Sequence, residues 1–145
     1  MYILGLSCFY HDSAACLLHN GVPIGAASEQ AFSRKKHDSS FPINAIQWLL
    51  SRAGITMDQV EGVAFYDKPL IKFERLLLSH LATFPRSFPQ FVQGMPSWFA
   101  SKLRLSKHLK RELGYTGAII YGQHHLSHAA SAFYCSGWEL SLIHI

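Results

Sequence analysis

The residues whose type and spacing best suit chemistry are His124 and His128, four apart in the run Gln123-His124-His125-Leu126-Ser127-His128. On a helix that spacing brings both imidazoles onto one face. Two neutral imidazoles so placed can each give one nitrogen to a divalent metal. The small residues Ala129-Ala130-Ser131-Ala132 that follow would let such a helix lie close against a sheet or a ligand. His125 would point to another side, in a supporting or substrate-facing role. The alternative is a pair of surface or capped core histidines, because an HxxxH match alone is a weak signal. Two histidines do not complete a site, which needs three or four ligands with a carboxylate among them. After Glu112 the sequence offers only Glu139.

Two polar stretches near the amino terminus form a second candidate. His11-Asp12-Ser13 and Arg34-Lys35-Lys36-His37-Asp38 each sit between apolar runs. If those runs are adjacent strands, the two stretches meet at one end of a sheet. A histidine and a cluster of cations there would suit a phosphate or carboxylate ligand through charge-assisted hydrogen bonds. The alternatives are a solvated basic loop and, for His11, a turn residue bonded to its own backbone.

These groups need elements to hold them. Residues 2–7, 14–18 and 22–27 are short apolar runs without helical spacing, which reads as three strands. Asn20-Gly21 between the second and third is a tight-hairpin signal, since both central residues of a type I′ turn need positive φ. After Phe41-Pro42, residues Ile43, Ile46, Leu49, Leu50 and Ala53 fall at helical intervals, with Gly54 as a stop. A very short helix at Asp58-Gln59 leads to a strand over 62–66. Helices are expected over 70–82 and from Leu103 to Leu113, with irregular, proline-rich packing over 84–96. A strand over 118–121 then feeds a helix from His124 to about Tyr134. Strands alternating with helices after an opening hairpin predict an α/β domain.

Composition narrows the functional classes. With 49% hydrophobic and 15% charged residues in 145, the chain has the balance of a packed domain, not of a disordered tail. A net charge of +4, much of it in Arg34-Lys35-Lys36 and residues 102–111, fits an anionic small substrate at least as well as nucleic acid, and no nucleic-acid partner is expected. The first apolar run lacks a preceding basic region, so no secretion signal is expected, and no run approaches the ~18 residues of a membrane helix. Three cysteines without a CxxC read as free thiols in a reducing, cytoplasmic setting.

Taken together, the chain resembles the O-carbamoyltransferase family that modifies nodulation factors and several antibiotics. The resemblance rests on Ile3-Leu4-Gly5-Leu6, His11-Asp12-Ser13-Ala14-Ala15, Phe32-Ser33-Arg34-Lys35-Lys36-His37-Asp38, Phe41-Pro42 and His124 through Tyr134, over about residues 1–138. It implies the N-terminal portion of an actin-like ATPase domain of the sugar-kinase and Hsp70 type, opening with a β-hairpin sheet. It also implies an enzyme that joins carbamoyl phosphate and ATP into a carbamoyl adenylate and passes the carbamoyl group to an acceptor hydroxyl. His124 and His128 would then ligate an iron-type divalent metal, and His11 and Lys36 would contact carbamoyl phosphate. Threonylcarbamoyl-adenylate proteins that modify tRNA share the histidine pair but look less like this chain around Arg34 to Asp38. A non-enzymatic metal- or anion-binding fragment is the remaining alternative.

Two departures stand out. Ser28-Glu29-Gln30-Ala31 places alanine where the family has an arginine before the Phe32 position. Residues 140–145 break from the family's acidic, glycine-containing continuation, so residues 1–139 are read as carbamoyltransferase sequence and 140–145 as a foreign or truncated tail. His144 is accordingly not counted as a ligand, and the rest of the enzyme is expected to supply what this part lacks.

Overall fold

In the computed structural model, residues 1–10, 12–89, 91–93 and 105–136 are described. His11 and the 140–145 tail lie outside them. Three strands open the chain: β1 (Tyr2–Ser7), β2 (Ala14–His19) and β3 (Val22–Ser28). They pair antiparallel in sequence order. Asn20 and Gly21 turn the second hairpin with φ of 52° and 83°, the left-handed pair that a type I′ turn requires.

After β3 come α1 (Gln30–Ser33), α2 (Ile43–Ala53), a 3₁₀ turn at Met57–Gln59 and β4 (Val60–Phe65). Gly54 ends α2 in the left-handed conformation, its N–H returning to Leu50 and Ser51. Strand β5 (Ile119–Tyr121) leads into α5 (His124–Ser136). β4 joins β1 in parallel and β5 joins β4 in parallel, giving one mixed sheet of order β3-β2-β1-β4-β5. The α/β architecture and the opening hairpins are thus as the sequence predicts. The one-turn α1 was not visible in it, because four residues carry no apolar period.

The register builds the core in rows. Gly25, Leu17, Leu4, Val63 and Ile119 stand side by side across all five strands, and Ala27, Ala15, Leu6, Phe65 and Tyr121 form the next row. Helix α2 lies against β2 and β3 and buries Ala45, Ile46 and Leu49. A side chain on Gly25 would come within 3.2 Å of Leu49 Cδ2, so the missing Cβ is what lets the helix approach. Leu4, Leu17 and Leu49 are wholly buried, each stabilising the fold by roughly 1.5–3 kcal/mol relative to exposure.

The chain divides into two compact units, one of Met1–Asp67 with the segment from Gly117 onward, the other Lys68–Thr116. The second contains α3 (Pro69–Ala82) and α4 (Leu105–Leu113), whose Leu105, Leu109 and Leu113 are buried one turn apart. Among the described residues no disulfide joins Cys8, Cys16 or Cys135. Among the described residues no helix is long and apolar enough to cross a membrane.

Candidate functional site

Parallel pairing of β1, β4 and β5 brings their carboxyl ends to one end of the sheet. The antiparallel register puts the start of β2 and the end of β3 there too. The loops leaving that end carry nearly every group singled out above, the arrangement expected of a ligand site in an open α/β sheet.

At the β5–α5 junction, Gly122 N–H donates to Phe65 O at 2.8 Å, extending the parallel ladder by one residue. Ser127 Oγ lies 3.0 Å from both Tyr66 O and Gln123 O, so its hydroxyl ties the first turn of α5 to the end of β4. His124 opens that first turn and His128 stands one turn further along the helix. Their Nε2 atoms stand 3.2 Å apart, with ring centroids 4.7 Å apart and planes near perpendicular. The Tyr66 ring packs edge-on to His124 at 5.6 Å. Burial, followed by the charges of Asp67, Cys8 and Tyr10, pushes the Tyr66 phenol up to about 12, so it is a neutral hydroxyl at physiological pH.

The donor set fits a cation in part. Two nitrogens each about 2.0–2.1 Å from one tetrahedral ion would be roughly 3.3–3.4 Å apart, close to the observed spacing. The same spacing admits a single N–H···N hydrogen bond, so the pair accommodates one cation or one shared proton. His124 Nδ1 is buried with no hydrogen-bond partner among the described residues, none of which fixes its tautomer. Among the described residues no third His, Cys, Asp or Glu joins the two. His125 is exposed and only edges against His124.

The two polar stretches do meet. Phe9 N–H donates to Ser39 O at 2.9 Å and Ser13 N–H to Asp38 O at 2.8 Å, so residues 38–39 cross the loop that brackets position 11. His37 Nδ1 and Asp12 Oδ1 are 3.2 Å apart across the same gap. Lys36 is exposed on this crossing segment. The hydroxyls of Ser33 and Ser40, then the Ser40 N–H, hold the Asp38 carboxyl down to about 2, with Lys35 adding a smaller pull.

One residue of the site escaped sequence reading. Glu29, 2% exposed, accepts from Asn44 Nδ2 at 2.6 Å, Asn44 N–H at 3.3 Å and Ala45 N–H at 2.9 Å. It thereby satisfies donors at the α2 N-terminus that Pro42, in the capping position, cannot reach with a side chain. The available signal was negative: a strongly periodic helix beginning after proline, with no Ser, Thr, Asp or Asn to cap it.

Comparison with known proteins identifies the family. Residues 2–141 match the family described as Carbamoyltransferase N-terminus. An uncharacterized protein of Synechocystis is 44% identical over 146 residues, covering 95% of this chain and 24% of the relative. Nodulation protein NolNO of Sinorhizobium fredii is 36% identical over 141 residues, covering 93% of this chain and 19% of the relative. An uncharacterized 19.2 kDa protein of Rhizobium etli is 33% identical over 78 residues, covering 52% and 46%. The chain thus spans about a quarter or less of the length of the first two.

Proposed function

Since the chain belongs to the carbamoyltransferase family, as its amino-terminal part, we propose that it serves an ATP-dependent O-carbamoyltransferase. In this reading the enzyme converts carbamoyl phosphate, ATP and water to carbamoyl adenylate, phosphate and pyrophosphate. The oxygen of an acceptor hydroxyl, on a small molecule, then attacks the carbamoyl carbon and AMP leaves. The observation that carries the proposal is the pair of imidazole nitrogens 3.2 Å apart at the sheet end that also bears the basic loop. An opening antiparallel hairpin sheet continued by parallel strands supports the actin-like ATPase fold.

The residues divide the work. Lys36, exposed on the crossing segment, offers an ammonium to the phosphate of carbamoyl phosphate, and His11 is assigned to the same ligand. His124 and His128 hold a divalent metal, iron in this reading, through Nε2. Such an ion supplies charge neutralisation at the nucleotide phosphates when bound. The neutral Tyr66 ring shields one side of His124 from water. The remaining ligands and the acceptor pocket are assigned to the portion of the enzyme that this chain does not span. In this reading the enzyme works in the cytoplasm, where reduced thiols such as its three cysteines persist.

The test uses the full-length enzyme supplied with Fe²⁺. Release of AMP and pyrophosphate should require carbamoyl phosphate, and His128→Ala should abolish Fe²⁺ retention. Absence of carbamoyl-phosphate-dependent AMP from metal-loaded enzyme, across a panel of hydroxylated acceptors, would refute the reading.

A further inference from the structure

The segment bearing Lys36 is irregular, yet its geometry is demanding. Arg34 and His37 on either side of it are both left-handed, with φ of 58° and 55°, and Phe9 on the facing loop has φ of 69°. Left-handed conformations at residues other than glycine cost free energy and persist only where the surroundings over-determine them. Gln30 Oε1 accepts from His37 N–H at 3.1 Å, and Arg34 N–H returns to Gln30 O at 3.0 Å. Those bonds hold the segment to α1, so the question becomes what holds α1.

Glu29 does, in three directions. Its N–H donates to Ser13 O at 2.8 Å, tying it to the facing loop. Its carbonyl accepts from Phe32 and Ser33, closing α1. Its buried carboxylate accepts from Asn44 and Ala45 at the start of α2, just beyond the segment's other end. The segment therefore starts and finishes on one residue. We propose that Glu29 is a positioning residue for Lys36: it pins both ends of the basic loop and so presents the ammonium to carbamoyl phosphate. This rests on the assignment of Lys36 made above.

The carboxylate is the part that can be changed cleanly. Glu29→Gln keeps the volume but turns one accepting oxygen into an amide that faces N–H donors. Glu29→Asp keeps the charge and shortens the reach. Asn44→Ala removes the 2.6 Å bond alone, and serves where a Glu29 variant fails to fold.

In the full-length enzyme, Glu29→Gln should raise the KM for carbamoyl phosphate about ten- to a hundredfold, the scale of a misplaced binding group, with the KM for ATP unchanged. Glu29→Asp should recover part of the loss, and Asn44→Ala should show a smaller rise of the same selectivity. In a Lys36→Ala background, Glu29→Gln should add little, because the two changes remove the same interaction. Fully additive effects, or a parallel rise in both KM values, would reduce Glu29 to a general structural role and overturn the proposal. So would a normal KM in both Glu29→Gln and Asn44→Ala. If Lys36→Ala leaves the KM unmoved while Glu29→Gln raises it, the assignment of Lys36 is what fails, and positioning through it falls as well.

Discussion

Gly122 sits where β5 hands over to the helix carrying the histidine pair, and Gly122→Ala probes that junction. A Cβ there would stand 2.8 Å from Ser127 Oγ, a separation that real Cβ atoms do not tolerate, and 3.5 Å from Phe65 O, which is ordinary contact. The hydroxyl must therefore swing away from Tyr66 O and Gln123 O, or the first turn of α5 must shift. Losing that bond and leaving a part-buried acceptor unmet costs roughly 1–3 kcal/mol. Alanine recovers about 0.4–1 kcal/mol by restricting the unfolded chain. The net expectation is a loss of up to about 2.6 kcal/mol. Ser127→Ala alone, which removes bond and obstacle together but leaves the same acceptor unmet, should cost about 1–3 kcal/mol. In the Ser127→Ala background the clash is gone, so adding Gly122→Ala should be neutral or stabilising. Urea unfolding of the four proteins measures this reversal of sign, and a Co²⁺ titration reads the histidine pair. Equal costs of Gly122→Ala in both backgrounds would refute the reasoning.

Other outcomes follow from the core and the titrating groups. Leu49→Ala should destabilise by about 2–5 kcal/mol in denaturant unfolding, since Leu49 is wholly buried against Gly25, which has no side chain to fill the space. Tyr66 has a folded pKa raised from 10.0 to about 12, so the unfolded chain loses its proton first. Stability linked to Tyr66 is complete below pH 10 and declines as pH climbs through about 12; absorbance at the phenolate band should show a late tyrosine step that Tyr66→Phe removes. Asp38 is lowered from 3.8 to about 2, the opposite case. Its contribution is present above pH 3.8 and lost as pH falls through about 2. Carbon NMR of its carboxyl should trace that late protonation, and Ser40→Ala should move it upward.

The sequence disclosed what depends on period and local turn chemistry. Asn20-Gly21, the spacing of Ile43, Ile46 and Leu49, and Gly54 each report a conformation set by near neighbours. The histidine pair was legible for the same reason, because four residues is one turn. Glu29 was not, because its meaning depends on residues 15 and 16 positions later whose approach only the folded sheet determines. The contact of Asp12 with His37 across 25 residues is of the same kind. The basic stretch was visible as charge, but its crossing over the loop around position 11 required knowing that β1, β2 and β3 lie side by side.

The left-handed residues at 34 and 37 have a practical corollary. Either site would accept glycine with relief of backbone strain, so a search guided by heat resistance alone would be drawn there. Glycine also widens the range of shapes the loop can sample, and the lysine between the two sites would lose its fixed bearing. Under the role proposed for Lys36, durability and turnover make opposite demands on these few residues, and gains in one are better sought in the α2 packing, away from the loop.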